Sequence, residues 1–371
     1  MAAEKIIVAG EGIVVHRFGI PGSRPKVYLQ GALHADEVSA TVALAELVGL
    51  LRVADAAGQV RGEIIVVPHC NPLGAKQFIL GRHSGRFSLD GRNFNRAFPH
   101  VGERVVEHLK RLCPDQRAAD DALRIGAGIL DSLTRVGTPV ERLQAALMGL
   151  AWGSDVIVDV HADMEATLHL YTSEKSWPVF QPLARRLDVP VVILADKSAD
   201  SPFDEAQGDA WSMINAHLGE SIDRPAFRPA ACTLELRGLS DVTPELAASD
   251  GRALRDFLVQ LGAVAGTGES AVGSAPLVTA LDAVEVVKST MTGVLIHLKP
   301  LGVKVTAGEC VARLYDPFEP EAKASWQDVV AGTDGVIFAR WHQRMIQAGM
   351  AVVKIAGSDG PLFDRPARLL D

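Results

Sequence analysis

The sequence predicts an α/β protein: a mixed, mostly parallel sheet flanked by helices, followed by a small C-terminal all-β domain. Three observations carry that expectation. Short Val- and Ile-rich runs alternate with helix-period stretches through the first two-thirds of the chain, as when strands are joined by crossover helices. Residues 262–276 (GAVAGTGESAVGSAP) then interrupt the alternation with a Gly-, Ala- and Ser-rich stretch ending in proline, the composition of a linker. Beyond it helical patterns thin out and a weak repeat appears: 293–314 aligns with 335–355, about 42 residues on. The expected domains are 1–265 and 276–371.

The elements follow in order. The opening 1–15 (MAAEKIIVAGEGIVV) reads as a strand broken by glycines. Residues 26–30 (KVYLQ) and 62–68 (GEIIVVP) suit strands. Between them 36–57 carries Val38, Val42, Leu44, Ala45, Leu47, Leu50 and Leu51 at helical spacing. A second helix is expected over 115–134 and a third over 140–149, the latter opened by Thr138 as cap and Pro139 in its first turn. Strands are expected at 155–160 (DVIVDV), 168–171, 191–194 (VVIL) and 233–236. Each half of the late repeat reads strand, turn, alternating stretch, Ala-Gly turn, strand, which predicts a closed pseudo-symmetric barrel-sandwich resembling the biotinyl/lipoyl fold. Lys288 lies ahead of the first repeat, not mid-domain at a hairpin tip, and reads as an unmodified lysine.

Composition narrows the function classes. Of 371 residues 48% are hydrophobic and 22% charged, an ordinary globular balance. The 37 Lys and Arg against 45 Asp and Glu leave a formal charge of −8 without a long basic run, which argues against a nucleic-acid or anionic-membrane partner. No apolar stretch approaches the roughly 18–20 residues that span a bilayer. The N-terminus lacks the charged and apolar segments of a signal peptide, so a cytoplasmic location is expected. Cys70, Cys113, Cys232 and Cys310 form no CxxC and read as reduced thiols.

Four short patterns carry chemistry. In 31–37 (GALHADE) a loop presents His34 and a helix opens near Glu37; imidazole plus carboxylate is a common zinc pair, although an acid there would equally suit a helix N-terminus. His161 ends the apolar run DVIVDV, on the edge where parallel strands place their sites, or else it is a structural histidine. Asp159, two residues earlier on the same side, could support a ligand or an arginine. Glu235 sits inside an apolar strand, where a carboxylate is costly unless it is salt-bridged or used as a base. Residues 86–96 pack Arg86, Arg92 and Arg96 with Asn93 and Asn95 into one loop, fit either to grip a carboxylate or to be solvated.

The order His34-x-x-Glu37, Asn71-Pro72, Asp90-Gly-x-Asn-x-Asn95-Arg96-x-Phe-Pro99, Asp159-Val-His161 and Thr233-Leu-Glu235 resembles the succinylglutamate desuccinylase/aspartoacylase family, zinc enzymes similar to the metallocarboxypeptidases. The resemblance spans roughly residues 5–262. It implies a carboxypeptidase-like fold and zinc bound by His34, Glu37 and His161. It implies Glu235 as general base, Arg86 polarising the scissile carbonyl with Arg82 as the alternative, and Asn95 and Arg96 in the substrate pocket, Arg96 taking a substrate carboxylate. The implied reaction is hydrolysis of a small N-acylated amino acid. A carboxypeptidase acting on peptide C-termini and a non-catalytic small-ligand-binding protein are the competing expectations, and a homo-oligomer is compatible with all three. Where many relatives have glycine after the Thr-Leu-Glu-Leu strand, this chain has Arg237, which on an extended strand would point to the same side as Glu235. The pair His69-Cys70 is expected to pack in core and loop, as are His83, His100 and His169. Tyr171 could reach the site or simply pack.

Overall fold

The structure is a computed structural model describing residues 3–112, 119–196, 201–219, 227–267, 273–319 and 325–358. The chain opens with β1 (Glu4–Val8) and β2 (Glu11–Phe18), antiparallel partners that reverse at Ala9-Gly10. The glycines therefore turn the chain between two strands instead of breaking one. There follow β3 (Lys26–Gly31), α1 (Val38–Ala56), β4 (Glu63–Val67), and a hairpin of β5 (Phe78–Ile79) and β6 (Arg82–His83). Next come α2 (Val101–Lys110), α3 (Ala119–Leu133) and α4 (Pro139–Ala151). The expected helix from 115 is seen from 119; 113–118, with Cys113, lie outside the described residues. α4 starts as anticipated. Thr138 accepts from the Glu141 amide, and the Glu141 carboxylate accepts from the Thr138 amide, so two otherwise orphaned donors are satisfied reciprocally.

β7 (Val156–Asp163), β8 (Glu165–Ala166), β9 (His169–Thr172), α5 (Trp177–Arg186), β10 (Val191–Leu194), α6 (Phe203–Leu218), β11 (Ala230–Gly238), α7 (Pro244–Gln260) and β12 (Leu277–Ala280) complete the larger layer. Its nine strands run β1-β2-β4-β3-β7-β11-β9-β10-β12. The pairs β3–β4, β3–β7, β7–β11, β9–β10 and β10–β12 are parallel. One face is covered by Leu44 and Leu47 of α1, Phe180 of α5 and Phe257 of α7; the other by Val101 of α2, Leu130 of α3, Leu147 of α4 and Trp211 of α6. Cover on both faces explains why β7 is buried at all eight positions and reads as a near-continuous apolar run. The helices α2, α5, α6 and α7 have no counterpart in the periods read from the sequence. Among the described residues no helix is long and apolar enough to cross a membrane. Of the Gly-rich stretch 262–276, residues 268–272 lie outside the described residues; β12, just after it, returns to the large sheet.

The rest forms two antiparallel sheets from β13 (Val284–Lys288), β14 (Gly293–His297), β15 (Lys304–Val305), β16 (Cys310–Tyr315), β17 (Trp326–Val330), β18 (Gly335–Arg340), β19 (Met345–Ile346) and β20 (Ala351–Gly357). They enclose one core with Leu295, Leu314, Ile337 and Ile355. The repeat is real in space, and its short strands are exchanged: β15 pairs with β18 of the second repeat, and β19 with β14 of the first. The leading glycines share one reason. A Cβ on Gly293 would lie 2.4 Å from the Tyr315 carbonyl oxygen, and one on Gly335 2.2 Å from that of Ala356. Lys288 ends β13 opposite Ala351. The two layers meet through β8, which pairs with β18, and through an apolar seam of Ala166, Ile193, Leu281 and Phe338.

Candidate active site

His34 and Glu37, His161, and Glu235 come from the C-terminal ends of β3, β7 and β11, and the loop after β6 closes over them. β3 runs into Ala32, which takes a left-handed φ of 55°, and the chain turns so that the Glu37 amide donates to the His34 carbonyl. Glu37 occupies the N-cap position of α1 but makes no cap bond. Its carboxylate points instead into the sheet edge, where Oε1 lies 2.8 Å from His34 Nδ1 and Oε2 2.7 Å from His161 Nδ1. The Ala162 amide also donates to Oε2, at 3.1 Å. The Glu37 side chain thus starts the helix without capping it, which speaks against the capping reading of this motif.

On β7, Val156, Val158 and Val160 face the α1–α7 core, so Asp159 and His161 face the other way at a spacing of two. On β11, Cys232, Leu234 and Leu236 likewise face the first core, and Glu235 stands directly beside His161 in the parallel register.

Donor atoms of His34, Glu37 and His161 all lie within 4.8 Å of one another, and all three residues are buried. Their outward nitrogens are held: His34 Nε2 is 2.8 Å from Asn93 Oδ1, and His161 Nε2 3.0 Å from Asp159 Oδ2. Asp159 is fixed in turn by Gln30, and Gln30 by Tyr28, through buried bonds of 3.0 and 2.8 Å. Both Nδ1 atoms therefore face the Glu37 carboxylate. Two imidazoles, one carboxylate and oriented outer partners are a donor set that can hold a metal ion.

The charges reinforce one another. Burial would raise Glu37, but the His34 and His161 imidazoles hold its carboxyl well below the usual range. Burial disfavours a charged His161, yet the Asp159 and Glu37 carboxylates raise it well above its ordinary value. Burial, then the Arg86 guanidinium, lowers His34. Glu235 differs: its Oε2 is buried with no hydrogen-bond partner among the described residues. Burial, with the Glu37 carboxylate close by, pushes it up to about 8.

Of the two candidate arginines, Arg86 is the one brought in. Its guanidinium donates to Glu37 Oε1 at 3.2 Å and lies 3.3 Å from His34 Nδ1, whereas Arg82 sits exposed on β6. The loop folds back on itself, with the Phe94 amide donating to the Arg86 carbonyl, and so carries Arg86 and Asn93 together. Gly85 seats this loop. The Ala35 amide donates to its carbonyl, and a Cβ there would lie 2.3 Å from the Asp36 nitrogen and 2.7 Å from the Ala35 carbonyl carbon. Both obstacles are backbone, so Gly85→Ala is expected to cost about 1–3 kcal/mol of stability. Denaturant unfolding checks this; an unchanged midpoint would mean that the loop yields freely.

Asn95 is buried, its Oδ1 accepting from the Phe203 amide at 2.9 Å and its Nδ2 3.4 Å from His161 Nε2. Arg96 is half-buried and donates to the Asn95 carbonyl. Tyr171 shares these surroundings: burial, then the Asp163 and Glu235 carboxylates, push its phenol up, while Arg86 and Arg96 oppose them. Arg237 departs from the extended-strand expectation. A register shift between Glu235 and Gly238 and a left-handed φ of 63° break the alternation, and its guanidinium pairs with Asp250 of α7. His69 bonds Thr41, His83 stacks on Phe78, and Cys70, Cys232 and Cys310 are free thiols, none of them in the three-residue group. Asn93 was named from the sequence only as part of the 86–96 loop, without a role of its own, and Asp163 was not singled out; it lies two residues beyond His161, and that spacing was the available signal. Lys354, which pairs with Asp163, had none.

Residues 23–121 match the catalytic-domain family of succinylglutamate desuccinylase/aspartoacylase. The chain is 27% identical over 345 residues to the N-alpha-acetyl-L-2,4-diaminobutyric acid deacetylase of Halomonas elongata, covering 90% of this chain and 83% of that one. In fold it is similar to a succinylglutamate desuccinylase/aspartoacylase family protein of Shewanella amazonensis, with a TM-score of 0.80 at 22% identity over 96% and 99% of the two chains. It is also similar to the product-bound ectoine utilization protein of Ruegeria pomeroyi, with a TM-score of 0.64 at 19% identity over 94% and 90%. The family resemblance read from the sequence is borne out.

Proposed function

We propose that this chain, whose residues 23–121 match the succinylglutamate desuccinylase/aspartoacylase catalytic-domain family, is a zinc-dependent hydrolase that cleaves the amide bond of a small N-acylated amino acid. One observation supports the reading: a buried His34–Glu37–His161 donor set stands beside half-buried Glu235, whose Oε2 is buried with no hydrogen-bond partner among the described residues. Zinc in that set supplies Lewis acidity, which makes water a competent nucleophile near neutral pH.

The protein's own groups do the rest. Glu235 Oε2 takes the proton of the attacking water and returns it to the leaving amine nitrogen. The Glu235 carboxyl, raised by burial, would ionise more readily beside a divalent cation held by His34, Glu37 and His161. The Arg86 guanidinium, already aimed at Glu37, donates to the carbonyl oxygen as that oxygen gains charge. Asn95 borders the pocket beside His161, and Arg96 receives the substrate carboxylate.

Arg237 bears on the substrate class. With its guanidinium committed to Asp250, the second cation that a dicarboxylic substrate would need is withdrawn. N-acyl amino acids with one carboxylate and a neutral or basic side chain are therefore the favoured substrates. The name of the Halomonas elongata relative, an acetyl-diaminobutyrate deacetylase, agrees with this.

The test is amine release by the zinc-loaded full chain from N-acetyl, N-succinyl and N-formyl amino acids, with a peptide panel alongside. Hydrolysis of peptides alone would favour a carboxypeptidase, and no hydrolysis at all would overturn the reading. Arg96→Ala should raise KM by roughly 10–100-fold, the worth of about 1.5–3 kcal/mol for a hydrogen bond to a charged group. An unchanged KM would remove Arg96 as the carboxylate anchor, and a preference for dicarboxylic substrates would reverse the argument from Arg237.

A further inference from the structure

β20 reads AVVKIAG, and all seven of its residues are buried. Lys354 is the one charged residue in it, and its Nζ lies 2.5 Å from Asp163 Oδ2. Both side chains are nearly closed to solvent, at 9% and 10%. Stability is a weak reason for such a pair, because apolar residues of the same size generally serve as well in a buried site. Its location suggests a different reason.

Asp163 is the last residue of β7, two beyond His161. Its Oδ1 accepts from the Met164 amide at 2.8 Å, so both carboxylate oxygens are engaged. Across the sheet Asp163 stands opposite Gly238, while His161 stands opposite Glu235. β11 thus spends three residues where β7 spends two. That bulge turns β11 away immediately after Glu235, and it is closed by the Leu239 amide donating to the Met164 carbonyl at 3.2 Å and by the Gly238 amide donating to Asp241. Lys354 therefore grips the strand pair at the point where the base and the third donor are set side by side. It does so from the C-terminal sheet, which is separately tied to the same segment by Arg340 and Arg344 on Glu165.

We propose that Lys354 is a positioning residue: through its ion pair with Asp163 the C-terminal sheet fixes the end of β7 and the β11 bulge, and so sets where His161 and Glu235 stand relative to each other. The roles of His161 and Glu235 in this statement rest on the function proposed above. The geometry of the donor set then depends on the C-terminal layer.

The experiment uses the full chain with Lys354→Met, Asp163→Asn and the double variant Lys354→Met/Asp163→Asn, which removes the pair without leaving a buried orphan charge. Cobalt(II), titrated into the metal-free protein and followed by its visible absorption, reports the donor set independently of turnover. The double variant should fold, bind cobalt on the order of 10–100-fold more weakly with a changed absorption envelope, and lose kcat by a similar factor with KM within about threefold. It should be no worse than the single variants, because the two residues act as a unit. A folded double variant with wild-type cobalt affinity, spectrum and kcat would overturn the proposal, whatever its melting temperature. A wild-type chain that binds cobalt but hydrolyses no N-acyl amino acid would remove the proposed function, while the cobalt comparison would still decide the part played by Lys354. A wild-type chain that binds no cobalt would overturn both.

Discussion

Glu235→Gln should keep the fold and the metal yet lose about 10²–10⁴ in kcat, the usual worth of a positioned general base. The substitution is nearly isosteric, and the Oε2 that it replaces by an amide has no hydrogen-bond partner among the described residues to lose. Burial and the Glu37 carboxylate already push the Glu235 carboxyl up to about 8, so in the metal-free chain they favour its neutral form. A neutral glutamine therefore costs little stability, and the melting temperature should stay within a few degrees of wild type. The three measurements are kcat on a confirmed substrate, zinc content and melting temperature. A kcat near wild type would assign the proton transfer to another group. Loss of zinc would make Glu235 a ligand instead of a base.

His161→Ala should reduce bound zinc from about one per chain to background, and activity with it. His161 is 2% exposed, with Nδ1 2.7 Å from Glu37 Oε2 and Nε2 3.0 Å from Asp159 Oδ2. Removing it takes one of three protein donors and leaves two buried carboxylates without the group between them. Losing only an outer partner of a ligand typically costs 10–100-fold in metal affinity, so losing the donor itself should exceed that. Elemental analysis of the purified variant is the check, and wild-type zinc content would exclude His161 from the donor set. Unfolding should also occur at lower temperature, because an uncompensated buried charge is destabilising by about 3–5 kcal/mol.

Much of the site could be read from local sequence. The spacing His34-x-x-Glu37 after an apolar strand, a histidine closing DVIVDV and an acid inside TLEL each place a chemical group at a strand end. In α/β sheets the C-terminal strand ends converge on one edge. The helix capped by Thr138 and the strands β3, β4, β7 and β10 were legible for the same reason, since side-chain period and turn chemistry are properties of a few neighbouring residues.

What the chain could not declare locally is how distant segments meet. Glu37 could cap a helix or enter a site, and only the approach of β7 decided, by bringing His161 within 2.7 Å of its carboxylate. Arg237 is two residues from Glu235, and an extended strand would have put both on one side. The bulge against β7 and the Asp250 carboxylate on α7 sent it elsewhere. The late repeat was visible, but not the exchange by which each short strand pairs with the other repeat. Lys354 is the clearest case: in AVVKIAG it is one cation in an apolar run, and its meaning comes from Asp163, 191 residues earlier. Sequence sets which donors, acids and cations are available and the period that aims them. Their partners are set by the packing of whole layers, because a buried charge takes the counter-charge that the tertiary fold brings within reach.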